Sequence, residues 1–150
     1  MANVTPHLLV LLLAACVLGP LLLVSRVRSR RRQEALASQW TWLLREQEAH
    51  HGAGTRMLRV ANVYQRGKRG SKAVVHWCDS GDTHDAWFEG WHVPPGAFVL
   101  VTGGVGVGWG PHNRIENVLY IEPRHVRGWV PFTAPGAWQR QQSRNAGTNR

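Results

Sequence analysis

The feature that most constrains this chain is a long stretch without charge close to its beginning. Leu8 to Val24 reads LLVLLLAACVLGPLLLV, with no Asp, Glu, Lys or Arg. At ~1.5 Å per residue a helix of this length covers about 25 Å, close to the ~30 Å hydrocarbon core of a bilayer. Because backbone groups in lipid must be hydrogen-bonded internally, the stretch predicts one transmembrane helix, with residues 1–25 as the anchor.

A cluster of arginines follows the apolar stretch directly. Its members are Arg26, Arg28, Arg30, Arg31 and Arg32, and no Lys or Arg precedes the stretch. Positive charge is retained on the cytoplasmic side of a membrane, so this asymmetry predicts a single-pass protein with its N-terminus outside and its C-terminal domain in the cytoplasm. The same guanidinium groups are expected to contact anionic lipid head groups.

Two other interpretations of the N-terminus were weighed against a retained anchor. Leu13-Ala14-Ala15-Cys16 is similar to a bacterial lipobox, in which the cysteine is lipidated after cleavage. A cleaved signal peptide, however, has a positive n-region and is followed by polar chain. Here the n-region lacks Lys and Arg, and Val17 to Val24 is still apolar. The retained anchor is therefore favoured.

The overall charge indicates anionic partners. The net charge is +9, but without the five clustered arginines the chain has 13 Lys and Arg against 9 Asp and Glu. Much of the basicity thus has an explanation in membrane topology and does not require nucleic acid. The two cysteines, Cys16 and Cys78, lie in such different surroundings that they do not indicate a disulfide framework.

Residues 26–54 are predicted to form the basic run and a short amphipathic linker helix. Leu36, Trp40, Leu43 and Leu44 follow the spacing of one helical face, and Gly52 with Gly54 provides a stop. The face has two interpretations: it pairs copies of the chain at the membrane, or it packs on the domain that follows. Because the apolar stripe is too short for sustained heptads, packing on the domain is favoured.

Residues 55–132 have the texture of a small β-rich domain, with short apolar runs between Gly, Pro and Asp clusters. The predicted strands are Met57–Gln65, Ala73–Cys78, Ala86–Trp91, Ala97–Thr102 and Asn117–Ile121, with His125–Phe132 as a closing segment. Five such strands predict an SH3-like or OB-like barrel, because closure removes exposed strand edges. The whole chain is thus expected to be mainly β, with one transmembrane helix and one short amphipathic helix.

The order of PPGAFVLVTG and the later VLYIEP resembles the C-terminal barrel of NfeD-type membrane proteins. The resemblance covers about Ala86 to Pro123 and implies a small barrel, and no family function is transferred from it. Residues 133–150 are polar and lack apolar periodicity, so a disordered basic tail is expected.

Two segments are candidate partner-binding sites. The first is the glycine-rich stretch from Gly103 to Gly110, GGVGVGWG, with Trp109 and the following His112 and Asn113. It contains neither GxxxxGK[ST] nor GxGxxG, the glycine patterns of phosphate-binding loops. An aromatic residue in such a loop is nevertheless a natural contact for a partner. The second is a basic hairpin tip formed by Arg66, Lys68, Arg69 and Lys72.

Residues with the potential for catalysis or metal binding are few. His76, Cys78 and His84 are close in sequence, but structural zinc sites have four ligands in closely spaced pairs, and that pairing is absent. A strand cysteine between tryptophan and aspartate is more often packed than reactive. No metal, no cofactor and no catalytic residue is expected, and an enzyme using Cys78 with a histidine is the least favoured function.

The leading expectation is a non-enzymatic, membrane-tethered binding or scaffolding module that presents its barrel to a cytoplasmic protein partner, with self-association also possible. The alternative is a membrane-localised nucleic-acid-binding protein. For that alternative, the basic tip would supply charge, and Trp77, Trp87 and Trp91 would supply stacking surfaces of the kind used by single-strand binders.

Overall fold

The structure is a computed structural model that describes the backbone of residues 5–103, 106–107 and 118–148, and the side chains of residues 22–103 and 118–147. Its first element is a long helix, α1 (Thr5–Ala49), which ends in a short 3₁₀ turn at His51–Ala53. Seven strands follow, and a second helix closes the chain. The strands are β1 (Arg56–Gly67), β2 (Gly70–Trp77), β3 (Thr83–Glu89), β4 (Phe98–Val101), β5 (Gly106–Val107), β6 (Val118–Ile121) and β7 (Val126–Val130), and the helix is α2 (Ala134–Thr148).

The strands form one sheet in the order β5-β6-β3-β2-β1-β4-β7. All neighbouring strands are antiparallel except β3 and β6, which are parallel. Side chains from both halves of the sheet share one core, since Val99 and Val101 of β4 pack in the same cluster as Leu119 and Ile121 of β6. The sheet therefore curls into a barrel-like shape, and the prediction of a small β-barrel domain is confirmed at this level.

The number of strands differs from the prediction. Five strands were expected, and the described residues contain seven, because Gly106–Val107 forms a short additional strand and Val126–Val130 pairs fully with β4. The run Ala86–Trp91 also ends earlier than predicted. Gly90 has φ of 67°, so it turns the chain out of β3 after Glu89 and does not form a bulge within it.

Helix α1 is continuous across the boundary that the sequence placed between anchor and linker. In the part of the chain that the structure describes, no helix is both long and apolar enough to cross a membrane. Most side chains of the predicted span, those before Leu22, lie outside the described residues. The described part therefore gives no support to the transmembrane helix, which stays a prediction.

The C-terminal half of α1 packs against the outer face of β4 and β7. Leu43 is fully buried in a cluster with Met57, Leu100, Val130 and Ala134, and Trp40 meets the ring of Phe98 edge-on at 5.0 Å between centroids. This confirms the prediction that the helix packs on the domain that follows. Leu44, which was placed on the same face, is 36% exposed because it points past the edge of the contact.

The polar C-terminal segment is a helix, so the prediction of a disordered tail is wrong. α2 buries Ala134 and Ala137, and its Arg140 donates a 2.7 Å hydrogen bond to the Oε1 atom of Gln33 on α1. Alanines carry too little apolar surface to produce a recognisable hydrophobic stripe. They do allow two helices to approach closely, and Ala37 of α1 is equally buried.

The packing of α1 against the sheet leads to a prediction about the free energy of unfolding. Leu43→Ala removes a fully buried side chain and is expected to lower the free energy of unfolding by about 2–5 kcal/mol. Leu44→Ala, one residue away and partly exposed, is expected to change it by about 0.5 kcal/mol or less. Denaturant titration of the full chain in detergent micelles, followed by tryptophan fluorescence, measures both. Equal losses in the two variants would contradict the packing described.

Candidate binding site at the barrel mouth

A cavity of about 200 Å³ opens at the end of the barrel where β1 begins and β4 ends. Strands β1, β2, β3, β4 and β6 each contribute to its lining. The lining residues are Gly54, Arg56, Trp77, His84, Val101, Thr102, Gly103 and Leu119. Its floor is apolar, because Trp77, Val101 and Leu119 belong to the barrel core, and its polar groups lie at the edge. Concave, mostly apolar surfaces with a few polar groups are typical of binding sites.

The charged part of the rim is fixed by an ion pair. Arg56 donates from Nε and Nη2 to the two carboxylate oxygens of Asp79, both at 2.8 Å. The Arg56 guanidinium also lies 4.0 Å from the centroid of the Trp77 ring, in a cation–π contact. Two directional hydrogen bonds and a stacked ring hold this side chain in one position, so the rim presents a preorganised flat surface.

A second group of contacts fixes the loop that follows β4. The hydroxyl of Thr55, which is buried, donates to Oγ1 of Thr102 at 3.2 Å. The backbone N–H of Thr102 donates to the carbonyl of His125 at 2.9 Å, and the buried His125 ring accepts at Nδ1 from the N–H of Glu122. These bonds tie the end of β4 to the connection between β6 and β7 at one side of the mouth.

His84 is the titratable side chain that faces the cavity. It lies on β3 opposite Val75, on the side of the sheet that points inward, and it is half-buried. Among the described residues, no hydrogen bond to its ring is formed. An imidazole in this position can donate to or accept from a ligand that enters the mouth.

The glycine-rich segment starts at this cavity, since Gly103 is one of its lining residues. Trp109, His112 and Asn113, which were predicted to contact a partner, lie outside the described residues. The cavity itself was not predicted from the sequence. Its residues come from different strands and become neighbours only when the sheet curls.

The basic hairpin tip is formed as predicted, at the turn between β1 and β2. Arg66, Lys68 and Arg69 are exposed, and Lys72 lies half-buried on β2. Gly70 adopts φ of 147°, and a Cβ atom there would collide with the carbonyl of Phe88, so this turn requires glycine. The carbonyl of Arg69 also accepts a hydrogen bond from the N–H of Gly90 at 2.7 Å, which fixes the tip to the end of β3.

The tryptophans proposed as stacking surfaces are mostly inside the molecule. Trp77 is 6% and Trp87 is 5% exposed, and the indole N–H of Trp87 donates to a carboxylate oxygen of Glu89. Trp91 is half-buried between Phe88 and Trp129. Two of the three rings are thus core residues: the little surface that Trp77 exposes lies in the cavity beside Arg56, and Trp87 offers almost none for a base to stack on.

Cys78 and the neighbouring histidines do not form a dyad in the structure. Partial desolvation, followed by the charge of Asp79, raises the pKa of the exposed Cys78 thiol, which disfavours the reactive thiolate. His76 pairs through Nδ1 with the hydroxyl of Thr83 at 2.7 Å. Within the described ranges, no three His, Cys, Asp or Glu side chains come close enough together to hold a metal ion.

The lipid-facing candidates Arg26, Arg28, Arg30, Arg31 and Arg32 are exposed on α1. Arg28 and Arg32 line an open groove between α1 and the start of α2, together with Ser29, Gln33, Leu36 and Thr133. Arg26 and Arg30 lie on another face of the helix, beside Leu23 and Val27. The arginine run therefore surrounds the helix and is not confined to one stripe.

Comparison with known proteins identifies no relative: no protein-family description, no curated protein and no solved structure matches this chain.

The rim ion pair generates a prediction for acid. Hydrogen bonds from Arg56 are the main cause that lowers the pKa of Asp79 from 3.8 to about 2. Because the folded-state pKa lies below the unfolded one, the ionised carboxylate stabilises the fold above about pH 4, and this contribution is lost as the pH falls towards 2. The pair is exposed and screened, so the contribution is expected to be about 1 kcal/mol or less.

Asp79→Asn is expected to remove this part of the acid dependence between pH 4 and pH 2, as measured by denaturant titrations at a series of pH values. Asp82→Asn provides the control, since Asp82 acts on Arg56 only through its charge and at longer range. If Asp79→Asn retains the full acid slope of the unchanged protein, the ion pair does not form in solution.

Proposed function

We propose that this protein is a membrane-tethered binding module whose barrel mouth takes an apolar side chain of a cytoplasmic protein partner. The proposal of a binding site is supported by the open cavity at the end of the barrel, which has an apolar floor and a fixed polar rim. A cavity of about 200 Å³ accommodates one large side chain and not a cofactor.

The tether is supported by the sequence and by the exposed surface of α1. Leu8 to Val24 has no charge, and the five arginines follow it. Leu22, Leu23, Val24 and Val27 are all large apolar side chains that are about half exposed or more, which is costly in water and expected in lipid. Tethering keeps the barrel at a high effective concentration near the membrane, so that a weak contact at the mouth is sufficient.

Membrane fractionation tests the tether. The full chain is expected to remain in the membrane pellet after alkaline carbonate extraction, whereas a variant without residues 1–25 is expected to be released. A tag at the C-terminus is expected to be protected from protease in intact cells and cleaved after permeabilisation. Release of the full chain by carbonate, or cleavage of the tag in intact cells, would reject the tether or its orientation.

Blocking the mouth tests the binding part. Gly103 lines the cavity, and its backbone leaves room for a side chain, so Gly103→Leu places an isobutyl group at the opening without a clash in the core. Gly147→Leu adds the same group on α2, where nothing lies within 4 Å. A photoreactive amino acid at the exposed Ala53, beside Gly103, reports the protein that occupies the mouth in membranes.

Gly103→Leu is expected to reduce the cross-linked product at least about tenfold, because burial of one aliphatic side chain contributes ~1.5–3 kcal/mol. Gly147→Leu is expected to leave the product unchanged. If the same product forms at the same yield with the mouth blocked, the cavity is not the contact surface.

A further inference from the structure

The molecule has a strongly basic end, and around the mouth acidic side chains outnumber basic ones. The contacts of α1 with β4 and β7 give the direction of the helix along the barrel. Trp40 contacts Phe98, Trp42 lies against Gly128 opposite Leu100, and Ala53 reaches Gly103. From Trp40 through the end of α1 and the 3₁₀ turn to Ala53, the chain therefore runs in the same direction as β4 and reaches the mouth.

The basic hairpin points the other way along the barrel. β1 is antiparallel to β4, with Arg56 opposite Val101 at the mouth and Arg59 opposite Phe98. From Arg59 the strand continues for about 26 Å to Gly67, at ~3.3 Å per residue. From Trp40 back to the arginines, α1 extends about 12–21 Å in the same sense, at ~1.5 Å per residue. Hairpin tip and arginine run thus lie towards one end of the barrel, and the mouth lies at the other.

We name this region the basic end and define it by two groups of residues. They are Arg26, Arg28, Arg30, Arg31 and Arg32 on α1, and Arg66, Lys68 and Arg69 on the hairpin. The acidic residues on the neighbouring stretches are Glu34 and Glu89, so eight cations stand against two carboxylates. Around the mouth, by contrast, Arg45 and Arg56 are accompanied by Glu46, Glu48, Asp79 and Asp82.

We infer that the basic end rests on the anionic lipid surface, with the hairpin tip as a second membrane contact beside the arginine run. This inference depends on the proposed tether, which places Arg26 at the bilayer surface. Clustered cations near an anionic leaflet are attracted over a distance of about one Debye length, ~8 Å at physiological salt. Contact at two separate points fixes the tilt of the barrel and turns the mouth away from the membrane, where a cytoplasmic partner reaches it.

Deuterium exchange of the full chain in lipid nanodiscs tests the contact. With phosphatidylglycerol present, the backbone amides of residues 64–72 are expected to exchange at least about fivefold more slowly than in phosphatidylcholine alone. High salt is expected to remove the difference. Equal exchange in the two lipids would overturn the inference.

Two matched variants separate the hairpin contact from general charge. Arg66→Gln with Lys68→Gln removes two exposed cations from the tip and is expected to abolish the protection by anionic lipid. Arg45→Gln with Arg127→Gln removes two exposed cations away from the basic end and is expected to preserve it. Loss of protection in both variants, or in neither, would contradict a specific contact at the tip.

Two further measurements distinguish a failure of the proposed tether from a failure of the proposed lipid contact. Release of the chain by carbonate would show that the tether is wrong. Sedimentation of the same two variants with phosphatidylglycerol vesicles then tests whether the basic end binds lipid without a tether. Equal binding by the two variants would overturn the inference. An oligonucleotide added to phosphatidylcholine nanodiscs is expected to leave residues 64–72 unprotected. Protection as strong as that from anionic lipid would replace the lipid assignment by nucleic acid.

Discussion

The whole arrangement depends on the close contact between α1 and β7 at Gly128. The indole of Trp42 lies where a Cβ atom of residue 128 would be, with Cη2 at 2.5 Å from that position. The absent side chain lets the helix approach the sheet closely enough for Leu43 to be buried against Leu100 and Val130. Since α1 also carries the arginines, this contact and those of Trp40 and Leu43 together set the direction of the helix from Leu22 onward relative to the barrel.

The same contact explains why a curled sheet of this small size is stable with an open mouth. β4 and β7 are sealed on their outer face by α1 and α2, and on their inner face by the barrel core. β4 is therefore buried on both faces, which accounts for the uninterrupted apolar run Ala97–Val101 in the sequence, whereas β7 keeps Arg127 and Trp129 exposed. Among the described residues, no helix lies on the outer face of β3 and β6, where Trp87 is buried beside the polar groups of Glu89 and Tyr120.

The parts of the fold that the sequence predicts are those with strong local signals. Strands are correctly indicated by the run AFVLVT and the alternating AVVHWC, and a helix by the spacing of Leu36, Trp40 and Leu43. In each case the apolar side chains follow the repeat of the element that buries them. The sequence of α2 contains no such local signal. Its buried apolar residues are Ala134 and Ala137, which stabilise the fold only when the partner helix lies close, and nothing in the local sequence indicates that partner.

The candidate site is unpredictable from local sequence for a related reason. Leu119 is far from Trp77 and His84 in the chain, and each of the three has the ordinary pattern of a strand residue. They become one surface only because β3 pairs in parallel with β6 and brings Leu119 beside Ala86. A parallel pair between strands so distant in sequence leaves no turn signature, whereas the basic hairpin, which has one, is predicted with its residues correct.

The positions of aromatic and basic residues argue for a membrane surface over a polynucleotide as the anionic partner. A single-strand binder needs exposed rings interleaved with its cations, so that bases stack while phosphates are neutralised. Of the rings near the cations of the hairpin, Phe88 is fully buried and Trp87 is nearly so, while Tyr64 is exposed with its hydroxyl bonded to Asp85 on β3. A lipid surface requires no stacking partner, because head-group phosphates are bound by charge alone. The turn itself, residues 66–69, carries three cations and no aromatic side chain, which suits contact with a lipid surface.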